Sequence, residues 1–191
     1  MLYYITSNKA KLRVAAKYLR PFDVSVEGKH LEFVEIQSDD ISEIAIQKAK
    51  QAYKEVGQPL FVNDAGWYIT ELGGFPGPFM KYMNQWLTSS DLLKLMVGHD
   101  NREIILREVI CFVDKNQTKT FVGEIKGVIL QRDTAPTEVP SRSIISLSSS
   151  GKSIAECWAA NIPSVDNYKL WEDFAKWYGS LSGVEIEEVS V

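Results

Sequence analysis

Leu2-Tyr3-Tyr4-Ile5-Thr6-Ser7-Asn8-Lys9-Ala10-Lys11-Leu12-Arg13 is the stretch on which the reading of the fold turns. Leu2–Thr6 is a short apolar run and reads as a strand. From Asn8 to Leu19 the residues Leu12, Ala15, Ala16 and Leu19 recur at the spacing of one helical face, and Pro21 marks the stop. A strand that passes through a polar turn into a helix is the opening unit of an α/β fold. Lys9, Lys11 and Arg13 crowd the helix start, where the dipole already places partial positive charge. A bound anion reverses that conflict, because free N–H groups, the Thr6 hydroxyl and a lysine together make a phosphate cradle. The alternative is a solvated basic turn.

Outward from this unit, Phe22–Val26 and Leu31–Val34 read as a strand pair. Asp39 and Asp40 cap a helix from Ile41 to about Val56, which Gly57 and Pro59 end. Leu60–Val62 is a short buried strand, and Gly73, Gly74, Pro76, Gly77 and Pro78 form a stiff loop. Phe79–Leu87 and Asp91–Val97 read as short helices. Glu103–Val113 and Lys119–Leu130 are long strand patterns, an antiparallel pair joined through Asp114–Thr118. Ser143–Ser153 reads as a loop or a short strand with a loop, and Glu185–Val191 as a terminal strand or a frayed end. A last helix is expected from about Val165 to Tyr178; its aromatic residues suit a core or a dimer face. The expectation is one α/β domain over residues 1–191, a mixed twisted sheet in two lobes flanked by helices, with the active-site cleft between the lobes.

Composition narrows the function. The chain has 191 residues, 45% hydrophobic and 24% charged, which is ordinary for a folded domain. With 21 basic and 25 acidic side chains the net charge is −4, poor for generic duplex binding, so no nucleic-acid partner is expected. No apolar run is long enough for a membrane span, and the start of the chain lacks the pattern of a cleaved signal peptide. Cys111 and Cys157 are the two cysteines; they suggest neither a disulfide framework nor a zinc site, and point to a reducing cytoplasm.

Three further positions carry possible chemistry. Lys48 lies on the same helical face as Ile41, Ile44, Ala45 and Ala52, so it needs a partner or an exit to water; snorkelling at the stripe's edge is the plain alternative. Asn63-Asp64-Ala65-Gly66 directly follows the strand Leu60–Val62, where ligands of open α/β sheets bind. Asp64 there suits a metal ligand or a base, and equally an Asx-turn. Glu35 ends an apolar stretch and with Asp64 could hold Mg²⁺; alone it reads as a surface residue. Gly151-Lys152-Ser153 lacks the earlier glycine and the frame of a P-loop, and His30 and His99 have no triad around them.

In this order the sites resemble the inosine triphosphate pyrophosphatase family, house-cleaning XTP/dITP diphosphatases that cleave abnormal purine nucleoside triphosphates to monophosphate and pyrophosphate. The similarity covers Leu2 to Leu130 well and Gly151 to Tyr178 faintly. Thr6-Ser7-Asn8-Lys9-Ala10-Lys11 resembles the family's Thr-Gly-Asn-x-x-Lys, with Ser7 for the glycine. Glu35-Ile36-Gln37 matches its Glu before a Gln, Lys48 its inward lysine, and Asn63-Asp64 its acidic pair with the first acid replaced. Leu72-Gly73-Gly74-Phe75-Pro76-Gly77-Pro78-Phe79-Met80-Lys81-Tyr82 resembles its Leu-Pro-Gly-Pro loop and is the most specific match. The resemblance implies a nucleoside triphosphate substrate and a Mg²⁺ cofactor on Glu35 and Asp64. It also implies phosphate contacts from Thr6, Asn8, Lys11, Lys48 and Lys81, an attacking water oriented or deprotonated by Asp64, and a homodimer.

The family's aromatic-Asp-Pro and Ser-His-Arg segments, which read the base, have no counterpart here. Arg142 falls near the first and Asp166-Asn167-Tyr168 near the second, so the base-recognition residues stay unassigned, as do the roles of Arg142 and Lys152. The same chemistry on another base, or nucleotide binding with weak or no turnover, fits these departures as well.

Overall fold

The computed structural model describes residues 1–166 and 168–181. β1 (Leu2–Ile5) leads into α1 (Lys9–Leu19), and β2 (Val26–Lys29) follows a short 3-10 turn at Arg20–Phe22. α2 (Ile41–Val56) and β3 (Leu60–Ile69) come next, then β4 (Pro76–Gly77), α3 (Met80–Trp86) and α4 (Ser89–Lys94). β5 (Glu103–Val113) and β6 (Thr118–Ile129) form the long hairpin; β7 (Ile145–Ser146), α5 (Ile154–Ala159) and α6 (Leu170–Leu181) complete the described chain. The sheet runs β2-β1-β3-β5-β6-β7, with β4 on the edge of β3. β1 pairs in parallel with β2 and β3, and the remaining pairs are antiparallel, so the mixed sheet flanked by helices is present.

Three expectations need correction. The strand pair Phe22–Val26 with Leu31–Val34 does not form: Asp23 turns with φ 54, β2 pairs instead with β1, and residues 31–34 have no strand partner among the described residues. Asn63 and Asp64 do not follow a short strand but lie inside β3, whose ten residues all pair with β5. The last helix starts at Leu170, because Val165 bridges to Leu147 instead of entering it. The expectation for Glu185–Val191 lies outside the described residues.

Alternation along β3 builds the two faces. Phe61 packs on one face with Tyr4, Ile110, Phe112 and the α6 residues Trp171 and Phe174. The Tyr4 and Phe61 rings stack at 4.3 Å and Phe61 meets Phe174 at 5.0 Å. The aromatic residues of α6 are therefore mainly core. On the other face Leu60, Val62, Val109, Cys111 and Val113 meet Ile41, Ile44, Ala45, Ala49 and Ala52 of α2. A third cluster, including Ile69, Met80, Met83, Ile104 and Ile129, fills the far end under α3 and α4.

The cleft follows from unequal strand lengths. β1 meets β3 only at Leu60 and Phe61 before ending, and β4 meets it only at Trp67 and Tyr68. Between them the outer edge of β3, from Val62 to Gly66, has no strand beside it among the described residues. The first two clusters lie on one side of this gap and the third on the other.

Candidate active site

A cavity of about 420 Å³ opens at this gap, lined by Ile5, Thr6, Ser7, Asn8, Lys11, His30, Leu31, Phe33, Glu35, Lys48, Asn63, Asp64 and Lys81. All seven residues singled out in the sequence, Thr6, Asn8, Lys11, Glu35, Lys48, Asp64 and Lys81, meet there. They come from the β1–α1 turn, the segment before α2, α2 itself, β3 and α3.

The β1–α1 turn is built by its own side chains. The Asn8 N–H donates to Thr6 Oγ1 at 3.1 Å, and Asn8 Oδ1 accepts from the N–H groups of Ala10 at 2.9 Å and Lys11 at 3.3 Å. This N-cap takes up two first-turn amides that an anion would otherwise use. The cradle therefore leans more on side chains than the sequence reading implies. Lys11 Nζ donates to the backbone carbonyl of Asn63 at 3.0 Å, tying the turn to β3. Burial lowers the Lys11 pKa, opposed by the charges of Asp64 and Glu108.

Lys48 reaches off the apolar stripe into an ion-pair triad. Its Nζ lies 2.7 Å from Glu35 Oε1 and 2.8 Å from Asp64 Oδ1. Desolvation works against the ammonium, but Asp64 and then Glu35 outweigh it, and the Lys48 pKa rises above its ordinary value. Lys48 and Asp64 are each 17% exposed and Glu35 58%, so the inner pair is the strong one. Asp64 points to the α2 face because Asn63 takes the other. Asn63 is buried: Tyr4 donates to its Oδ1 at 3.5 Å, and its Nδ2 donates to the Val109 carbonyl at 3.4 Å.

The second oxygen, Asp64 Oδ2, is buried without a hydrogen-bond partner among the described residues. An acceptor in that condition costs free energy unless a donor or cation reaches it. Glu35 and Asp64 together offer two carboxylates, a donor set that suits Mg²⁺ when substrate phosphates complete the shell. No group of three His, Cys, Asp or Glu side chains arranged to hold a metal occurs among the described residues.

Of the C-terminal positions, Arg142, Lys152 and Asp166 do not line this cavity, and Asn167 lies outside the described residues. The Arg142 guanidinium stacks on the Trp158 ring at 4.2 Å, and Asp166 accepts from the Ser149 N–H at 2.7 Å. Ser153, after Lys152, caps α5. One charged residue near the cleft was not read from sequence: Glu108, on the β5 face otherwise carrying Ile104, Leu106, Ile110 and Phe112. Its signal was available, since it is the one charge in that inward alternation.

Comparison with known proteins bears on the family and the fold. The model of the Ham1 family matches residues 2–157. The dITP/XTP pyrophosphatase of Methanopyrus kandleri is 30% identical over 177 residues, 92% of this chain and 94% of its own. The dITP/XTP pyrophosphatase of Thermococcus kodakarensis is 34% identical over 128 residues, 67% of this chain and 69% of its own. Among solved structures, the HAM1 protein of Coxiella burnetii superposes with a TM-score of 0.72 at 19% identity, covering 95% of this chain and 98% of that one. The dITP/XTP pyrophosphatase of Mycobacterium abscessus gives 0.69 at 17% identity, with 95% of each chain covered. Matched in sequence over most of its length and in fold over nearly all of it, the chain belongs to the Ham1 family.

Proposed function

We propose that the protein hydrolyses abnormal purine nucleoside triphosphates, such as ITP, dITP and XTP, to the monophosphate and pyrophosphate, with Mg²⁺ as cofactor. The observation that carries the reading is the buried Asp64 Oδ2, without a hydrogen-bond partner among the described residues, in a cleft where Lys11 and Lys48 converge, in a chain whose relatives are named dITP/XTP pyrophosphatases. Glu35 and Asp64 would hold the metal, which supplies a Lewis acid for the phosphate oxygens. Thr6, Asn8 and Lys11 on one wall and Lys81 on the other would orient the triphosphate. Lys11, Lys48 and Lys81 offset charge building on the leaving pyrophosphate. Asp64 Oδ2 orients the attacking water at the α-phosphorus or takes its proton. Positioning and electrostatics are asked for most of the acceleration.

The protein would act in the cytoplasm as a homodimer. Phe79, Tyr82 and Trp86 leave one face of α3 uncovered, with Trp86 76% exposed, and such an aromatic face suits a partner copy. The test is product analysis with ITP: pyrophosphate and IMP form with magnesium and stop with a chelator. Orthophosphate and IDP as products would refute cleavage at the α–β anhydride.

A further inference from the structure

Glu108 is the feature that the proposed chemistry leaves unused. It projects from the sheet face that carries Phe61 and Asn63, paired across β3 with Ala65 and across β6 with Gly123. Both neighbours are small: the space over Gly123 is taken by Tyr168 and Leu170, and the Glu108 side chain itself is half-buried. It forms no ion pair among the described residues. Lys11 is anchored at the Asn63 carbonyl, two residues before Ala65, so Glu108 stands roughly 7 Å further along the sheet floor and one strand, roughly 5 Å, across it. On the pyrophosphatase reading, a substrate whose phosphates lie at Lys11 would extend its nucleoside beyond the cleft lining, over this floor.

Tyr168 bounds the floor on the far side. A Cβ placed on Gly123 would stand 2.8 Å from the Tyr168 hydroxyl, so Gly123 is what admits the ring beside Glu108. That hydroxyl is buried with no hydrogen-bond partner among the described residues. It nonetheless faces the Glu108 carboxylate and interacts with it, and a carboxylate has further lone pairs with which to accept from a ligand. A carboxylate here repels phosphate, but accepts hydrogen bonds from uncharged donors.

We propose that Glu108 is a specificity-determining residue, its carboxylate accepting a hydrogen bond from an O–H or N–H of the substrate's nucleoside, with the Tyr168 hydroxyl closing the same pocket. This rests on the pyrophosphatase reading of the cleft. The donor can be a ribose hydroxyl or a ring N–H of the base, and the two are separable.

The test is calorimetric titration, with magnesium, of wild type, Glu108→Ala and Glu108→Gln. The ligands are the α,β-methylene analogues of ITP and dITP, and inorganic tripolyphosphate. Glu108→Ala weakens the ITP analogue about 10-fold or more, the scale of one lost bond to a charged acceptor. The same change leaves tripolyphosphate binding unchanged or tighter, because a negative charge near Lys11 is gone. Glu108→Gln, which keeps an acceptor oxygen, loses less. A loss confined to the ITP analogue assigns the donor to the 2′-hydroxyl; an equal loss with the dITP analogue assigns it to the base or the 3′-hydroxyl. Parallel weakening of nucleotide and tripolyphosphate, or no change in either, overturns the proposal while leaving the pyrophosphatase reading intact. Wild type that binds none of the three ligands overturns that reading itself, and this inference with it.

Discussion

Replacing Lys48 with Met keeps the length and apolar stem of the side chain and removes the charge that joins Glu35 to Asp64. Two contacts go, at 2.7 and 2.8 Å, but they are unequal. Asp64 is 17% exposed and its Oδ2 already lacks a partner, so the variant leaves both its oxygens unsatisfied. A hydrogen bond to a charged group of this kind is worth ~1.5–3 kcal/mol. The Glu35 contact, to a carboxylate more than half exposed, contributes ~0–1 kcal/mol. Lys48→Met should therefore lose about 2 kcal/mol, roughly 4–8 °C in Tm for a chain of this size. Glu35→Gln should lose well under half of that. Magnesium adds a second readout. The Lys48 ammonium neutralises the two carboxylates proposed to hold a divalent ion, so removing its charge should enlarge the stabilisation by millimolar magnesium. Urea and thermal unfolding of wild type and both variants, with magnesium and with chelator, measure every quantity. Lys48→Met no less stable than Glu35→Gln, or less stabilised by magnesium than wild type, would refute the reasoning.

Other consequences follow from the same contacts. Phe61 is fully buried among Tyr4, Trp171 and Phe174, so Phe61→Ala should cost ~3–5 kcal/mol in chemical denaturation. In the α4 capping box, hydrogen bonds from Thr88 and then Lys94 lower the Asp91 pKa from 3.8 to about 2. A depressed carboxylate contributes stability that is present above pH 3.8 and lost as pH falls through about 2. Thr88→Val should move the Asp91 midpoint back toward 3.8 in an NMR titration.

Much of the fold was legible because its punctuation is local. Asp40 caps α2 and Gly57, at φ 63, ends it, so the expected limits Ile41 and Val56 are the observed ones. The β5–β6 hairpin followed from two long alternating runs around Asp114–Thr118, and its observed ends differ by one residue. The misreadings share a cause. Asn63, Asp64 and Gly66 are turn formers in isolation, yet β3 runs through them because β5 supplies a partner at every position. Residues 31–34 have a strand pattern but no strand edge to join. At the site, Lys48 was legible as a charge on an apolar stripe; Asp64 read equally as an Asx-turn and Glu35, alone, as a surface residue, so their pairing with Lys48 needed the fold. The gap that makes the cleft was not legible, because it depends on where β1 and β4 stop beside β3. Glu108 broke an apolar alternation in plain view, but the meaning of that break needed Tyr168 and Gly123 beside it.

Asp64 in this cleft is proposed to drive release of pyrophosphate from an abnormal purine nucleotide. The most direct test is pyrophosphate release with magnesium across ITP, dITP, XTP, dUTP, ATP, GTP, CTP and UTP, for wild type and Asp64→Asn side by side. The account predicts release from ITP, dITP or XTP well above that from ATP and GTP, abolished in Asp64→Asn while its circular dichroism stays that of wild type. Undiminished release by Asp64→Asn, or no release by wild type from any nucleotide, would contradict it.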